Sequence, residues 1–250
     1  MLVPNQSTAT GGDATAAGDN ATATGSEATA SGLRSTATGA GAEATGSRAT
    51  ASGSQATASG NAATATGTGA NATGTGAIAT GALAQATGAF AVATGTEATA
   101  GPAATATGTF AEASGIGAIA TGFRARATSN FAVATGLAAT ATSSGAIATG
   151  VAARASGTNA VAIGLEAAAT HDNSAAFGNR AKTTRANQQV FGTSSNTYTM
   201  LYGYVAGQKQ QSLQKRSVVE RVTKAAIEEC QNDLYKTALE AFEENWETGT

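Results

Sequence analysis

The sequence predicts an all-β fold, a solenoid of short stacked strands wound in 14-residue coils. Three observations predict it. Glycine recurs every seven residues, the residues ahead of each glycine alternate between small and larger, and the larger member changes character with a period of 14. The glycine register runs without exception from Gly11 through Gly18, Gly25 and Gly32 to Gly95. One step of six follows, Gly95 to Gly101, and the sevenfold register then resumes to Gly192. In this second block Ser129, Ser143, His171 and Arg185 stand where glycine is expected. A heptad of this kind is not a coiled coil. Each glycine in a helix interior costs about 1 kcal/mol relative to alanine, and no seam of large apolar residues offsets that. Collagen is excluded because its glycine period is three.

The repeating unit reads Ala-x-Ala-Thr/Ser-Gly-x-x, as in Ala77-Ile78-Ala79-Thr80-Gly81 and Ala91-Val92-Ala93-Thr94-Gly95. Alternation over four residues is strand periodicity. The glycine then supplies a backbone conformation that other residues avoid and turns the chain. Three residues before each glycine the character alternates. Ile78, Val92, Ile119, Val133, Ile147 and Val161 form an aliphatic series, and Asn71, Gln85, Glu112, Arg126, Thr140 and Arg154 form a polar one. One coil is therefore two heptads with unlike strands. At about 4.8 Å per coil the array makes a rod of roughly 60 Å.

The alternation assigns faces. Alanine two and four places before glycine fills a narrow interior, and the aliphatic series points outward along one side. Such a stripe in water would be an unusually long apolar patch. The expectation is that Ile78, Val92, Ile119, Val133, Ile147 and Val161 are buried against other copies of the chain, with the polar series facing solvent. Towards the N-terminus the first series becomes Thr22, Thr36, Thr50 and Thr64, so burial there is less apolar.

Composition excludes several function classes. A net charge of -2 gives no basic field for nucleic acid. One Cys allows no intrachain disulfide, and one His with no Cys/His cluster gives no metal-ligand spacing and no Ser-His-Asp site. No apolar run reaches membrane-spanning length, so the chain itself is not expected to insert into a membrane. Gly74-Thr75-Gly76-Ala77-Ile78-Ala79 and the stretch from Gly115 to Ala120 fit a loose dinucleotide fingerprint, but the repeat produces that match automatically. His171 sits in a glycine slot and reads as a turn residue. Arg124, Arg126 and Arg154 read as a solvated outer face rather than a ligand strip, given so few charges. Pro102, at the six-residue step, suits a turn because it lacks an N–H.

Taken together, the double units Ala118-Ile119-Ala120-Thr121-Gly122 and Ala160-Val161-Ala162-Ile163-Gly164 resemble the head repeats of YadA-like trimeric autotransporter adhesins. The stretch Asp172-Asn173-Ser174-Ala175-Ala176-Phe177-Gly178, with Arg185-Ala186-Asn187 and Val190-Phe191-Gly192, is similar to that family's neck. The resemblance implies a homotrimer of left-handed parallel β-rolls on a bacterial surface or outer membrane. It implies adhesion to host extracellular matrix, cells or other bacteria, with no cofactor. It also makes Asn173, Phe177, Arg185, Asn187 and Val190 structural neck residues. Arg180, Lys182 and Arg185 are expected to bond carbonyls or acids of neighbouring chains. The organisation expected is an N-terminal segment 1–10, head repeats 11–171, a neck 172–192 and a linker 193–207. An amphipathic helix follows over 208–247, with Cys230 as a packed residue. The family's signal peptide and C-terminal membrane barrel have no counterpart in this sequence, and the tail reads as unrelated to the head.

Two function classes compete with adhesion. Thr22/Thr24, Thr36/Thr38, Thr64/Thr66 and Thr105/Thr107 are Thr-x-Thr pairs on one face, as in an ice-binding solenoid, although Ile78, Val92, Ile119 and Val133 interrupt them. An enzyme on such a scaffold needs clustered carboxylates or bases, which this composition does not supply. The reading is a non-enzymatic adhesin head, with the ice-binding solenoid as its alternative.

Overall fold

In the computed structural model the chain divides into two units, Met1–Thr199 and Met200–Thr250. The structure describes residues 6–195, all within the first. The expected helix over 208–247, Cys230 and most of the linker lie outside the described residues. The described residues form the expected parallel solenoid and contain no helix. Three-residue strands, from Thr8–Thr10 to Gln189–Phe191, stack into a 14-stranded broad sheet. Two-residue strands, from Thr15–Ala16 to Ala168–Ala169, stack into a 12-stranded narrow sheet. Each strand pairs in parallel with its counterpart one coil later, so Thr22 faces Thr36, Ile119 faces Val133 and Glu112 faces Arg126. The ladder continues through the neck, where Val161, Ala175 and Gln189 are successive partners.

The core is a column of methyl groups. Every buried hydrophobic residue in the described part is alanine, two and four places before the glycine slot on both sheets, except that the six-residue step brings Ala98 and Ala100 one place closer to Gly101. Serine or threonine takes such a slot at Ser35, Ser174 and Thr183. Alternation along the strand is what separates this interior from the outside. In Ile119–Thr121 the central Ala120 is fully buried while both flanking side chains point out.

The glycines do two different jobs, which the sequence pattern alone does not separate. After broad-sheet strands up to Gly164 their φ lies near +130°, as at Gly122 and Gly136 (φ 129°), a region essentially closed to other residues. A Cβ on Gly136 would also lie 2.5 Å from the carbonyl oxygen of Gly150 in the next coil. Every such slot up to Gly192 is glycine. After narrow-sheet strands a Cβ would meet the next coil's carbonyl just as closely, but the glycines have ordinary φ, and all four departures, Ser129, Ser143, His171 and Arg185, fall in this series. There the backbone adjusts, and the hydroxyls of Ser129 and Ser143 donate to the carbonyls of Thr142 (2.6 Å) and Ser156 (2.7 Å) in the next coil.

The residue that turns the chain is not this glycine but the second residue after it. In the corners from Gly11 to Gly178 the N–H three residues on bonds back to the slot carbonyl, as Ala28 N–H does to Gly25. The third residue of that turn has positive φ, the requirement of a type II turn. It is Glu27 (58°), Leu83 (57°), Phe90 (58°), Arg124 (55°) or Asn173 (53°), and so on around the coils. No Val, Ile or Thr occupies it, because a β-branched side chain fits that conformation worst. The preceding position, with no such demand, accepts Ile116, Val151, several threonines and Pro102.

The six-residue step is absorbed at a narrow-sheet corner. In ordinary coils two successive N–H groups share one carbonyl, as Thr45 (3.1 Å) and Gly46 (3.3 Å) share that of Ala58. Thr99–Ala100 is followed directly by Gly101, whose N–H alone meets the carbonyl of Ala113 at 2.8 Å. The deletion removes one of two donors competing for one acceptor and orphans nothing.

Two outcomes follow from this geometry. Gly136→Ala lowers stability by roughly 3 kcal/mol through backbone strain and the close carbonyl, whereas Gly157→Ser, with ordinary φ but a Cβ that meets the His171 carbonyl of the next coil, costs about 1–2 kcal/mol as the coil shifts the way it does at Ser129 and Ser143. Denaturant midpoints of the two variants check the ordering. Ser35 is fully buried and its hydroxyl has no partner. Ser35→Ala, which restores the repeat's alanine, raises stability by about 1 kcal/mol, and an unchanged or lowered midpoint contradicts that account.

Candidate interaction surface

The outer face of the broad sheet carries the six aliphatic residues expected at an interface. Ile119, Val133, Ile147 and Val161 are successive partners in the ladder, and Ile78 pairs with Val92. Thr105 separates the two groups. Within one chain Ile78 and Ile119 are each 41% exposed and Ile147 37%, while the three valines are half-buried. The face is thus continuous and outward, as the alternation requires. In the early coils the same positions hold Thr8, Thr22, Thr36, Thr50 and Thr64 in register. The Thr-x-Thr array runs into Ser52 and ends at Ile78, which leaves the ice-binding reading without a continuous face.

A second apolar row lies beside the first, and it escaped the sequence pattern. It occupies the position directly after the broad-sheet glycine, at Phe123, Leu137, Val151 and Leu165. These side chains are 43%, 50%, 45% and 44% exposed. The signal was the same 14-residue period read one place after glycine instead of three before it. Phe110 extends the row, its ring edge-on to Phe123 at 5.9 Å. The Arg124 guanidinium lies over both rings, 5.6 Å and 5.1 Å from their centres.

The corner on the other flank of the broad sheet explains the dinucleotide-like motifs. A Cβ on Gly76 would lie 3.1 Å from the Phe90 ring, and one on Gly117 would lie 3.2 Å from that of Phe131. The second glycine of each motif therefore seats an aromatic ring from the next coil, and nothing in the arrangement cradles a phosphate. Phe90 and Phe131 remain 69% and 67% exposed.

The narrow sheet faces outward with polar residues. Arg126 bonds Glu112 at 3.0 Å across the ladder. Arg154 stands two coils further on, with Thr140 between. Arg124 belongs to a corner, so the three arginines do not form one strip.

In the neck, Asn173 (φ 53°) and Asn187 (57°) hold turn positions, and the Asn187 N–H bonds the Asp172 carbonyl. Asparagine is among the residues that enter this conformation most readily. Phe177 stacks on Phe191 at 5.2 Å on the outer face. Val190 takes an alanine slot and packs partly buried against the core. Arg185 occupies a narrow-sheet glycine slot. The expectation that Arg180 pairs with a neighbouring chain meets a different arrangement, since it bonds Glu166 of its own chain at 2.8 Å. Both groups are largely exposed, so the pair adds little stability.

His171 accepts the Ser174 hydroxyl on its carbonyl at 2.6 Å, and its Nδ1 lies 3.1 Å from the Thr170 hydroxyl. Inside the lumen the Ser174 and Thr183 hydroxyls meet at 3.0 Å, and the Thr170 N–H bonds Thr183 Oγ1 at 3.3 Å. Among the described residues no group of His, Cys, Asp and Glu is placed to hold a metal, and no helix is long and apolar enough to cross a membrane.

A sequence model of one protein family, the YadA head domain repeat, matches residues 5–28, 16–42, 44–70, 72–98, 113–139, 141–167 and 155–181. The gap between 98 and 113 contains the six-residue step. Among solved structures the chain is similar to the collagen-binding domain of the Yersinia adhesin YadA, with 24% identity over 78% of this chain and 79% of that one. The TM-score is 0.29, so that likeness adds nothing to the family match. No curated protein sequence matches the chain.

The buried hydroxyl pair gives a double-mutant cycle. Thr183→Ala alone strips Thr170 N–H of its partner and lowers stability by about 1–2 kcal/mol. Ser174→Ala with Thr183→Ala restores an all-alanine lumen and costs less than the sum of the single changes by at least about 0.5 kcal/mol. Strict additivity in chemical denaturation contradicts the coupling.

Proposed function

The chain belongs to the YadA head-repeat family, and from that premise we propose that it is the head of a bacterial cell-surface adhesin, working as a homotrimer without cofactor or catalysis. The in-register aliphatic row on the outer face of the broad sheet carries the reading. A lumen of alanine buries little apolar area, so the large aliphatic side chains that stabilise most folds lie outside. Against two further copies they become a core, and the monomer is then a fragment of the folding unit.

The family's adhesive role supports a partner in the extracellular matrix or on a cell surface. The similar Yersinia domain is a collagen-binding one, which makes fibrillar collagen the first probe here. Three chains of repeated coils present many equivalent weak contacts, and their linkage replaces one tight pocket.

Sedimentation equilibrium of the full chain gives three times the monomer mass. Ile147→Asp places three carboxylates in the proposed interface and weakens assembly at least ~100-fold, since an unpaired buried charge costs several kcal/mol. On immobilised collagen the dissociated variant loses on the order of 100-fold or more in apparent affinity. A wild-type monomer sinks the trimer. A trimer that ignores collagen and other matrix proteins leaves the assembly standing and removes the matrix partner.

A further inference from the structure

We infer that the corner row of Leu137, Val151 and Leu165, with Phe123 at its end, packs against a second copy of this chain as the flank of the same interface. The inference rests on the trimer proposed above. Its first support is a comparison among the coils themselves. Where the broad-sheet row is Thr22, Thr36, Thr50 and Thr64, the corner position holds Ser26, Ala40, Ser54 and Thr68. Where that row is Ile119, Val133, Ile147 and Val161, the corner holds Phe123, Leu137, Val151 and Leu165. Thr105 interrupts the first row, and the corner of that coil is Thr109. From Ile119 onward the two neighbouring columns are apolar together, whereas the earlier Ile78 and Val92 are followed at the corner by Ala82 and Thr96, and the narrow sheet of the later coils carries Arg126, Thr140 and Arg154. A single covering surface accounts for both columns.

Area points the same way. An outward side chain of this exposure offers roughly 80 Å², under half of what a large residue buries when fully covered. The three isoleucines offer about that much each and the half-buried valines less, so the strand row supplies roughly 400 Å², short of the roughly 800 Å² per partner of a standard stable interface. The corner row, with Phe110, brings the sum close to that figure.

Closed symmetry names the opposing surface. In a ring of three the contact is heterologous, so one flank of the inward face meets the opposite flank of the next copy. The opposite flank at this level carries Ile116 and Phe131, 50% and 67% exposed, among the small residues Gly117, Ser144 and Gly145. Bulky residues on one flank thus face two apolar anchors on the other, where the Phe131 ring sits over Gly117 and the Asn159 side chain over Gly145.

The test uses the full chain with Cys230→Ser. Leu137→Glu with Val151→Glu is expected to weaken trimer formation at least ten-fold in sedimentation equilibrium. Thr140→Glu with Arg154→Glu, on the narrow sheet, leaves it within two-fold. Glutamate is compatible with a turn position that elsewhere holds Asp19, Asn61 or Asn179, and circular dichroism checks that strand content is kept. Independently, Leu137→Cys with Phe131→Cys treated with a short bismaleimide gives covalent trimers, and each single variant does not. A wild-type trimer that keeps its affinity in the Leu137/Val151 variant, or that yields no covalent trimer, overturns the flank assignment while leaving the strand row in place. A wild-type monomer overturns the trimer itself and this inference with it.

Discussion

A lumen one methyl group wide sets the terms for the rest of this structure. Successive coils approach so closely that a Cβ on the broad-sheet glycines would meet the next coil's carbonyl carbon and oxygen at 2.8 Å or less up to Gly164. Inside, alanine is the only hydrophobic residue fully buried among the described positions. Widening the lumen for a larger side chain breaks the parallel ladder above and below it, so a local substitution disturbs neighbours on both sides. Large apolar residues are consequently expelled to the outer face and the corners. The stabilising area that other folds keep inside is here on the surface, and the proposal that further copies cover it follows from that displacement.

The same constraint governs polar groups. A hydroxyl in the lumen has no water to fall back on, so its position decides whether it is tolerated at a cost or tied in. Ser35 is alone among alanines and has no partner. Ser174 and Thr183 lie opposite one another and draw in the His171 carbonyl and Thr170 N–H. The polar lumen of the neck coincides with His171 and Arg185 replacing glycine in the narrow-sheet slots. Loss of glycine there and gain of hydroxyls inside belong to one local rearrangement of the coil, and the broad-sheet ladder passes it unbroken.

Much of this was legible in the sequence because each repeat states the same rule again. Alternation around Ala118, Ile119 and Ala120 gave the strand, its inward face and its outward face correctly. The 14-residue period gave the coil. The turn chemistry was not legible by the usual signal. Glycine marks left-handed turns in most proteins, yet here Glu27, Phe90 and Arg124 occupy the left-handed position two places later, and the glycines answer the approach of the next coil. What identified the turn was an exclusion, the absence of β-branched residues, and exclusions emerge only when coils are aligned on one another. The corner row at Phe123, Leu137, Val151 and Leu165 was hidden for a related reason. Its residues belong to turns, where apolar side chains are easily taken as incidental.

Comparison of coil with coil separates structural demand from function within one chain. Positions that never vary, the broad-sheet glycines, face the next coil's backbone. Positions that vary only among Ala, Ser, Thr, one Val and, at the last coil, Gln188 face the lumen. Apart from the left-handed turn position and the narrow-sheet glycine slots, the remaining positions are free of the solenoid's own packing, so whatever order they show must come from something outside a single coil. On the narrow sheet they show little, a mixture of Thr, Glu, Asn, Gln and Arg with Ala168 at the last strand. On the broad sheet and its following corner they divide the rod into an early hydroxyl-bearing stretch and a later aliphatic one. A solenoid needs no such division, since Thr8–Thr10 and Ile147–Thr149 pair with their neighbours in the same way. The division therefore records the surroundings of the rod. The later coils expose an aliphatic face, and the proposed contact with further copies rests on it. The early coils present Thr22, Thr36 and Thr64 in register, with side chains that bond as readily to water or a polar partner as to one another.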